Sequence, residues 1–200
     1  MSRLYEDHIA QQFAFLIELD ELKSIMRQSP LINQSRKENS AEHSWHLSMF
    51  ALILSSHARD TVDTLHVVKL LLVHDIVEID AGDHPIHSIG ESDVLVAQAE
   101  QLAAERIFGL LPKQQGRKML ELWNEFEAAE TPEAIFAKSL DRLQPLLINT
   151  LSNGGTWAEA GVTQEQVMER YGPVIERGSP ILWDVASKRV CEYFETLERE

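Results

Sequence analysis

The 200-residue chain lacks the features that mark a secreted or membrane protein. Its single cysteine, Cys191, excludes an internal disulfide framework and is typical of a reducing compartment. No run of about 18 consecutive apolar residues is present, so no segment is predicted to span a membrane. The first residues, MSRLYEDHIA, lack the basic and apolar regions of a signal peptide. Together these absences predict a cytoplasmic protein.

Positive charge is also scarce. The sequence has 18 Lys and Arg residues against 32 Asp and Glu residues, which gives a formal net charge of -14. Binding to a nucleic-acid backbone needs clustered Lys and Arg side chains, so a polynucleotide partner is not expected. A small phosphorylated ligand remains compatible with this charge, because it needs only one or two local cations.

Alternating strand patterns are rare, whereas apolar residues recur at helical spacing along most of the chain. With only 9 Gly and 7 Pro, no repeat and no long linker, residues 1–200 are predicted to form a single all-α domain. About seven to eight helices are expected. Their approximate ranges are 5–26, 41–59, 64–78, 93–108, 112–128, 132–151, 163–171 and 180–197.

Ionisable residues concentrate in the segment LLLVHDIVEIDAGDH, residues 70–84. Its apolar run leads directly into His74 and Asp75, and Glu78 and Asp83 follow. A core-forming segment that ends in so many ionisable groups needs an explanation, because burying such groups is costly unless they are paired or bound to a metal.

Two more residues of the same chemical types occur inside other predicted helices. His43 lies near the start of the second helix, and Asp141 lies within the apolar stretch FAKSLDRLQPLL. Imidazole and carboxylate groups together suit divalent transition metals or magnesium. Two His and two Asp ligands would leave coordination positions open for water, as catalytic metal sites require.

The ordered pattern of His43, then His74-Asp75, then Asp141 resembles the HD-domain metal-dependent phosphohydrolase superfamily. RKENSAEHSWH and HDIVEIDAGD are similar to the signatures of the branch that contains the bacterial 5'-deoxynucleotidases and related HD hydrolases. The resemblance covers roughly residues 22–149. It implies an HD-type helical bundle on which residues 150–200 pack.

The resemblance also assigns roles to individual residues. It implies one divalent metal ion, which could be manganese, cobalt, iron, zinc or magnesium. The implied metal ligands are His43, His74, Asp75 and Asp141. Glu78 takes the position of the catalytic carboxylate, which orients or deprotonates the attacking water or protonates the leaving oxygen. Asp83 matches a second functional acid that helps to hold the nucleotide sugar.

Substrate recognition is the point at which this sequence departs from the family pattern. Arg36 is the first candidate for a contact with the substrate phosphate. In the deoxynucleotidases an Arg-Trp pair precedes the upstream proline, whereas Gln28 and Ser29 precede Pro30 here and Arg27 is one place away. Whether Arg36 or Arg27 replaces the family's arginine stays open.

Other histidines have less specific interpretations. His46 is expected behind the site or in packing, because the order Glu42-His43 does not match zinc-protease helices, which place Glu between two histidines. His84 and His87 follow the ionisable segment and either line the mouth of the site or are simply exposed.

The resemblance implies a metal-dependent phosphohydrolase that removes phosphate from a small phosphorylated metabolite by means of metal-activated water. A nucleoside 5'-monophosphate is the first candidate substrate. The alternatives are a phosphodiesterase acting on cyclic or signalling nucleotides and a non-enzymatic, metal-binding helical regulator. The resemblance also implies a homodimer.

Overall fold

A computed structural model describes residues 3–84 and 93–197 of this protein, and helices dominate both ranges. The predicted all-α fold is confirmed. The helices are α1 (Arg3–Glu18), α2 (Ser40–Leu54), α3 (Thr64–Val73), α4 (Glu78–Ala81), α5 (Asp93–Phe108), α6 (Lys113–Ala128), α7 (Pro132–Leu151), α8 (Gly155–Ala160), α9 (Gln164–Gly178) and α10 (Pro180–Leu197). The short helices α4 and α8 go beyond the predicted set. No described helix is long and apolar enough to cross a membrane.

A small hairpin separates α1 from α2. The prediction that the first helix extends to Met26 is wrong, because α1 ends at Glu18 and a 3₁₀ turn, Leu19–Ser24, leads into a strand. Strand β1 (Met26–Pro30) pairs antiparallel with β2 (Lys37–Asn39). Proline disfavours helical backbone in the residue before it, so the Ser29-Pro30 step favours this extended conformation.

Helix α2 begins at Ser40, one residue before the start of the predicted range 41–59. Asn39, rather than Ser40, is the N-cap: its side chain accepts a hydrogen bond from the Glu42 amide, and the Glu42 carboxylate accepts one from the Asn39 amide. This reciprocal pair satisfies two otherwise unpaired amides at the helix start. It leaves the Ser40 hydroxyl available for a contact elsewhere.

The segment that carries most of the ionisable residues is not one continuous helix. Asp63 caps α3, which ends at Val73, and a 3₁₀ turn, His74–Val77, follows before α4. A 3₁₀ turn has about three residues per turn and is tighter than an α-helix. Gly82, with a φ of 80°, then ends α4 in the left-handed region that favours glycine.

Helix α7 lies at the centre of the larger apolar core, where Leu140 and Leu146 are fully buried. Helices α9 and α10 pack against it. The predicted end of α9 near residue 171 is wrong, because the helix continues through Pro173 to Gly178. The prolyl ring removes one helical hydrogen bond, but Ile175 is buried beyond it and its core contacts offset that loss.

A second apolar cluster forms between α1, α5 and α6 and includes Phe15, Ile107 and Phe108. The 3₁₀ turn His74–Val77 joins the two clusters, since α3 contributes Leu70 to the first cluster and the turn contributes its apolar residues to the second. The ionisable residues of this turn therefore lie where the two apolar clusters meet.

Candidate metal centre

Three buried side chains from separate elements converge beside the 3₁₀ turn. One ligand atom each of His43 on α2, His74 in the turn and Asp141 on α7 lies within 4.8 Å of the others. The Nε2 atom of His43 is 3.1 Å from Asp141 Oδ1, and the Nε2 atom of His74 is 3.7 Å from the same oxygen. The structure thus brings together residues almost 100 positions apart in the sequence, His43 and Asp141.

Asp75 completes this group. Its Oδ1 atom lies 2.9 Å from His74 Nε2, and its Oδ2 atom lies 4.0 Å from His43 Nε2. All four residues that the resemblance implied as metal ligands therefore face one another. Two imidazole nitrogens and two carboxylates form a donor set that suits divalent metals.

The orientation of the His74 ring fits metal binding. Its Nδ1 lies 2.8 Å from the Leu71 carbonyl oxygen, which assigns the ring proton to Nδ1 because a carbonyl can only accept. The Nε2 lone pair then faces Asp75 and Asp141, and this atom is buried without a hydrogen-bond partner among the described residues. A lone pair aimed at two carboxylates needs a cation at that point, and a divalent ion meets this need.

The electrostatics of the cluster agree with this geometry. Burial lowers the pKa of His74, but the Asp75 and Asp141 carboxylates outweigh burial and raise it to about 10. Burial likewise opposes ionisation of Asp75, whereas His74 and Arg27 hold its pKa below the usual range. The negative potential that favours a proton on His74 also favours a metal cation.

Glu78 lies at the start of α4 and is buried. Its carboxylate accepts a 2.5 Å hydrogen bond from the Ser40 hydroxyl. Burial and the nearby Asp75 charge raise the pKa of Glu78 to about 9, although Arg27 opposes this shift. The predicted catalytic carboxylate therefore shares the site with Asp75 and has a strongly raised pKa.

Arg27 on β1 reaches into the centre of the acidic group. Its Nη1 atom is 2.7 Å from Asp75 Oδ2, 3.4 Å from Glu78 Oε1 and 3.6 Å from Asp83 Oδ1. Asp83 also accepts a hydrogen bond from the backbone amide of Gln28 at 3.3 Å. Both predicted acids, Glu78 and Asp83, are thus linked to Asp75 through the guanidinium of Arg27, whose side chain is 13% exposed.

Arg36 is not brought into this group. Its guanidinium makes two hydrogen bonds to the Glu42 carboxylate, at 2.8 and 2.6 Å, and its side chain is 49% exposed. It does not line the cavity that holds the other site residues. The structure therefore brings Arg27, and not Arg36, to the acids beside the His43, His74 and Asp141 cluster.

A cavity of about 590 Å³ opens onto the cluster, which is within the usual range for small-molecule sites. Besides the acids and Arg27, its lining includes two further cations, Lys138 and Arg142 of α7. His84 lines the cavity, whereas His46 contacts the Gln144 amide at 3.3 Å and the Phe50 ring. His87 lies outside the described residues. This arrangement can hold a divalent ion with an anionic ligand beside it.

The HD-domain family model matches residues 19–183, which is most of the chain. The chain belongs to the HD-domain family. The resemblance noted from the motifs is thereby confirmed. Among HD-domain relatives, human 5'-deoxynucleotidase HDDC2 is 30% identical over 135 residues, which cover 66% of this chain and 64% of the human protein. The Schizosaccharomyces pombe 5'-deoxynucleotidase hdd1 is 27% identical over 134 residues, 65% of this chain and 66% of the yeast protein.

A solved structure is similar over nearly the whole HD-domain chain. This crystal structure, described as a predicted metal-dependent phosphohydrolase from Magnetospirillum magnetotacticum, has a TM-score of 0.88 and 46% sequence identity. The match covers 94% of this chain and 96% of that one. By contrast, the matched region spans 64% of the length of the human relative.

The central position of Arg27 could not be read from the sequence pattern. The helical interpretation of residues 5–26 hides the strand that turns Arg27 inward, and the family position two before Pro30 is Gln28. A strand prediction for Met26–Pro30 would have placed Arg27 and Ser29 on the same face, which is more buried than the face of Met26 and Gln28.

Proposed function

We propose that this protein is a metal-dependent phosphohydrolase that releases phosphate from a small phosphorylated metabolite. The first candidate substrate is a nucleoside 5'-monophosphate. The observation that carries the proposal is the convergence of His43, His74, Asp75 and Asp141 beside Glu78 and Arg27. All of these residues except the fully buried His43 line one cavity. Relatives named 5'-deoxynucleotidase and a similar structure described as a predicted metal-dependent phosphohydrolase support it.

In this proposal His43, His74, Asp75 and Asp141 would hold one divalent ion. The Nε2 atoms of His43 and His74 provide neutral donors, and Asp75 and Asp141 provide negative ones. Such an ion supplies Lewis acidity, which neutralises phosphate charge and lowers the pKa of a bound water. The donor set accepts manganese, cobalt, iron, zinc or magnesium.

Glu78 acts as the proton-exchanging group. The Ser40 hydrogen bond fixes the direction of the carboxyl, and burial together with the Asp75 charge keeps its pKa far above the ordinary range. A carboxyl in this state can exchange a proton with an oxygen of the reacting phosphoester. Hydrolysis then breaks the bond between phosphorus and the ester oxygen, and water supplies the hydroxyl group that phosphate gains and the proton that the alcohol gains.

Arg27 binds the substrate phosphate in place of Arg36. A guanidinium can donate two parallel hydrogen bonds to a phosphate, and Arg27 already bridges Asp75 and Glu78 at the cavity floor. Asp83 accepts a hydrogen bond from the backbone amide of Gln28. In this proposal it accepts further hydrogen bonds from the sugar of a nucleotide bound next to Arg27.

We propose one domain over residues 1–200, which the packing of α9 and α10 on α7 supports. A cytoplasmic location agrees with the single cysteine, and the net charge of -14 argues against a polynucleotide substrate. A homodimer has candidate contact surfaces in exposed apolar side chains such as Trp45 and Ile53 of α2.

Phosphate release measured on metal-loaded protein tests the proposed function. Protein stripped of metal is reloaded separately with manganese, cobalt and magnesium. It is then assayed on nucleoside 5'- and 3'-monophosphates, cyclic nucleotides and sugar phosphates. Release from 5'-monophosphates that is lost in Asp75→Ala and Glu78→Ala supports the proposal. Release from cyclic nucleotides alone favours the phosphodiesterase, and metal binding without any turnover contradicts an enzymatic role.

A further inference from the structure

A buried carboxylate outside the proposed ligand set lies behind the metal centre. Glu38, at the middle of β2, is 2% exposed. Its Oε1 atom lies 3.3 Å from His43 Nδ1 and 3.6 Å from Arg27 Nε. Because a buried carboxylate is costly without partners, its position between a proposed metal ligand and the proposed phosphate ligand calls for a role.

Helix α7 holds the other oxygen of this carboxylate. Gln144, which is fully buried, donates a 3.0 Å hydrogen bond from Nε2 to Glu38 Oε2. Gln144 lies about one helical turn after Asp141, so the helix that supplies a proposed ligand also anchors Glu38. Rotation of the Glu38 side chain would break this hydrogen bond.

The two nitrogens of the His43 ring face different groups. Nε2 lies 3.1 Å from Asp141, on the side of the metal centre, and Nδ1 faces Glu38. In the described part of the chain, His43 Nδ1 and Glu38 Oε1 are buried and neither makes a hydrogen bond, so the two atoms face each other at 3.3 Å. A carboxylate beside Nδ1 favours the tautomer with the proton on that nitrogen, which leaves the Nε2 lone pair for a metal.

We propose that Glu38 is a positioning residue that fixes the His43 ring with Nε2 directed at the metal and supports Arg27 from behind. The proposal rests on the proposed metal centre. This role explains the glutamate of RKEN, residues 36–39. One carboxylate then orients both His43, which faces the proposed metal, and Arg27, which faces the proposed phosphate. His74 has a different anchor for its Nδ1, the Leu71 carbonyl.

Metal affinity and the cobalt spectrum test this role. Isothermal titration with Mn²⁺ on the metal-stripped full chain gives the Kd, and visible absorption at saturating Co²⁺ reports the ligand geometry. Glu38→Gln is expected to weaken Mn²⁺ binding about 10- to 100-fold, as loss of a group that orients a metal-binding histidine does, and to shift the Co²⁺ bands. A purely structural role would lower Tm without changing either readout in the folded protein.

Glu42→Gln is the matched control. Glu42 lies four residues after Glu38 and supports the cap of α2, but it faces Arg36 at the surface. The variant is expected to lower Tm with the Mn²⁺ Kd and the Co²⁺ spectrum unchanged. Gln144→Leu serves as a second variant if Glu38→Gln does not fold, and it is expected to weaken Mn²⁺ binding in the same direction because Glu38 loses its anchor.

The outcomes separate this proposal from the proposed function. Wild-type affinity and spectrum in folded Glu38→Gln and Gln144→Leu, together with loss of Mn²⁺ in Asp75→Ala, overturn the role of Glu38 and leave the metal centre intact. Absence of Mn²⁺ and Co²⁺ binding in the wild-type protein overturns the metal centre and this role with it. Weakened binding in both variants, with Glu42→Gln unchanged, supports the proposal.

Discussion

The Ser40 hydroxyl donates a 2.5 Å hydrogen bond to the Glu78 carboxylate, so the first residue of α2 is tied to the first residue of α4. Both side chains are buried, and Arg27 lies 3.4 Å from the other oxygen of the same carboxylate. Capping of α2 by Asn39 leaves Ser40 free for this contact. The relationship fixes the proposed proton-exchanging group relative to the helix that carries His43.

Removal of this hydrogen bond is expected to reduce turnover without affecting metal binding. Ser40→Ala should lower kcat by up to about tenfold, since a typical intramolecular hydrogen bond is worth about 0.5–1.5 kcal/mol. The Mn²⁺ Kd should stay at the wild-type value, because Ser40 contacts no proposed ligand. Steady-state kinetics and titration calorimetry check both expectations. Ser48→Ala is the control, because it removes a hydroxyl that donates a hydrogen bond to the Ser44 carbonyl of the same helix. An unchanged kcat in Ser40→Ala would refute the role of the contact between Ser40 and Glu78.

The proposed phosphate ligand can be distinguished from the arginine first favoured by sequence. Arg27→Gln should raise KM about 10- to 100-fold, which corresponds to loss of charge-assisted hydrogen bonds worth roughly 1.5–3 kcal/mol. Arg36→Gln should leave KM unchanged, since its guanidinium pairs with Glu42 outside the cavity. Kinetics on the best 5'-monophosphate of the substrate panel provide the measurement. A larger KM effect from Arg36 than from Arg27 would reverse the assignment.

The raised pKa of Glu78 predicts a pH-dependent stability of the metal-free protein. The pKa rises from an ordinary 4.5 to about 9, so the folded protein keeps a proton that the unfolded chain releases above its lower pKa. The stability that this proton contributes is fully present below the pKa of Glu78 in the unfolded chain. It is lost as the pH rises through the pKa of Glu78 in the folded protein. Glu78→Gln imitates the protonated group, so its Tm should exceed that of wild type increasingly between about pH 5 and pH 8. Thermal melts in chelator check this, and parallel Tm curves would contradict it.

The contact between α9 and α7 is expected to be intolerant of added volume. A Cβ atom on Gly178 would lie 2.5 Å from the Ser139 side chain and 2.8 Å from the Ile135 carbonyl oxygen. Gly178→Ala should therefore destabilise the protein by about 1–3 kcal/mol, as overpacking of a core does. Urea unfolding measures this free energy. Gly161→Asn is the control, because no atom lies within 4 Å of an added Cβ there and Asn tolerates its φ of 62°.

The helical fold and the metal-type residues could be predicted from sequence because both depend on local or ordered patterns. Apolar periodicity defined α5 and α7 closely, and the order of the motifs alone indicated His43, His74-Asp75 and Asp141 as ligands. The distances between these ligand atoms depend on how the chain folds in three dimensions. The 3₁₀ turn at His74–Val77 determines the directions of His74 and Asp75, and helical periodicity alone gives no sign of it.

The contributions of the β-hairpin to the site were harder to predict from the sequence. Periodicity extended α1 through Met26 and concealed the strand that directs Arg27 into the cavity. The sequence pattern gives no sign that Glu38 is buried, because its burial depends on residues distant in the chain such as Gln144 of α7. The end of α9 was misplaced for a related reason: Pro173 is a local signal for termination, whereas packing of Ile175 on the core is a tertiary effect that outweighs it.

The central claim is a single divalent ion bound by four residues from three parts of the chain. Anomalous diffraction from crystals grown with Mn²⁺ tests it most directly, because the signal locates the ion independently of activity. The account predicts one strong peak within about 2.0–2.6 Å of the ligand atoms of His43, His74, Asp75 and Asp141. A peak elsewhere in the protein, or no peak in Mn²⁺-saturated crystals, would contradict it.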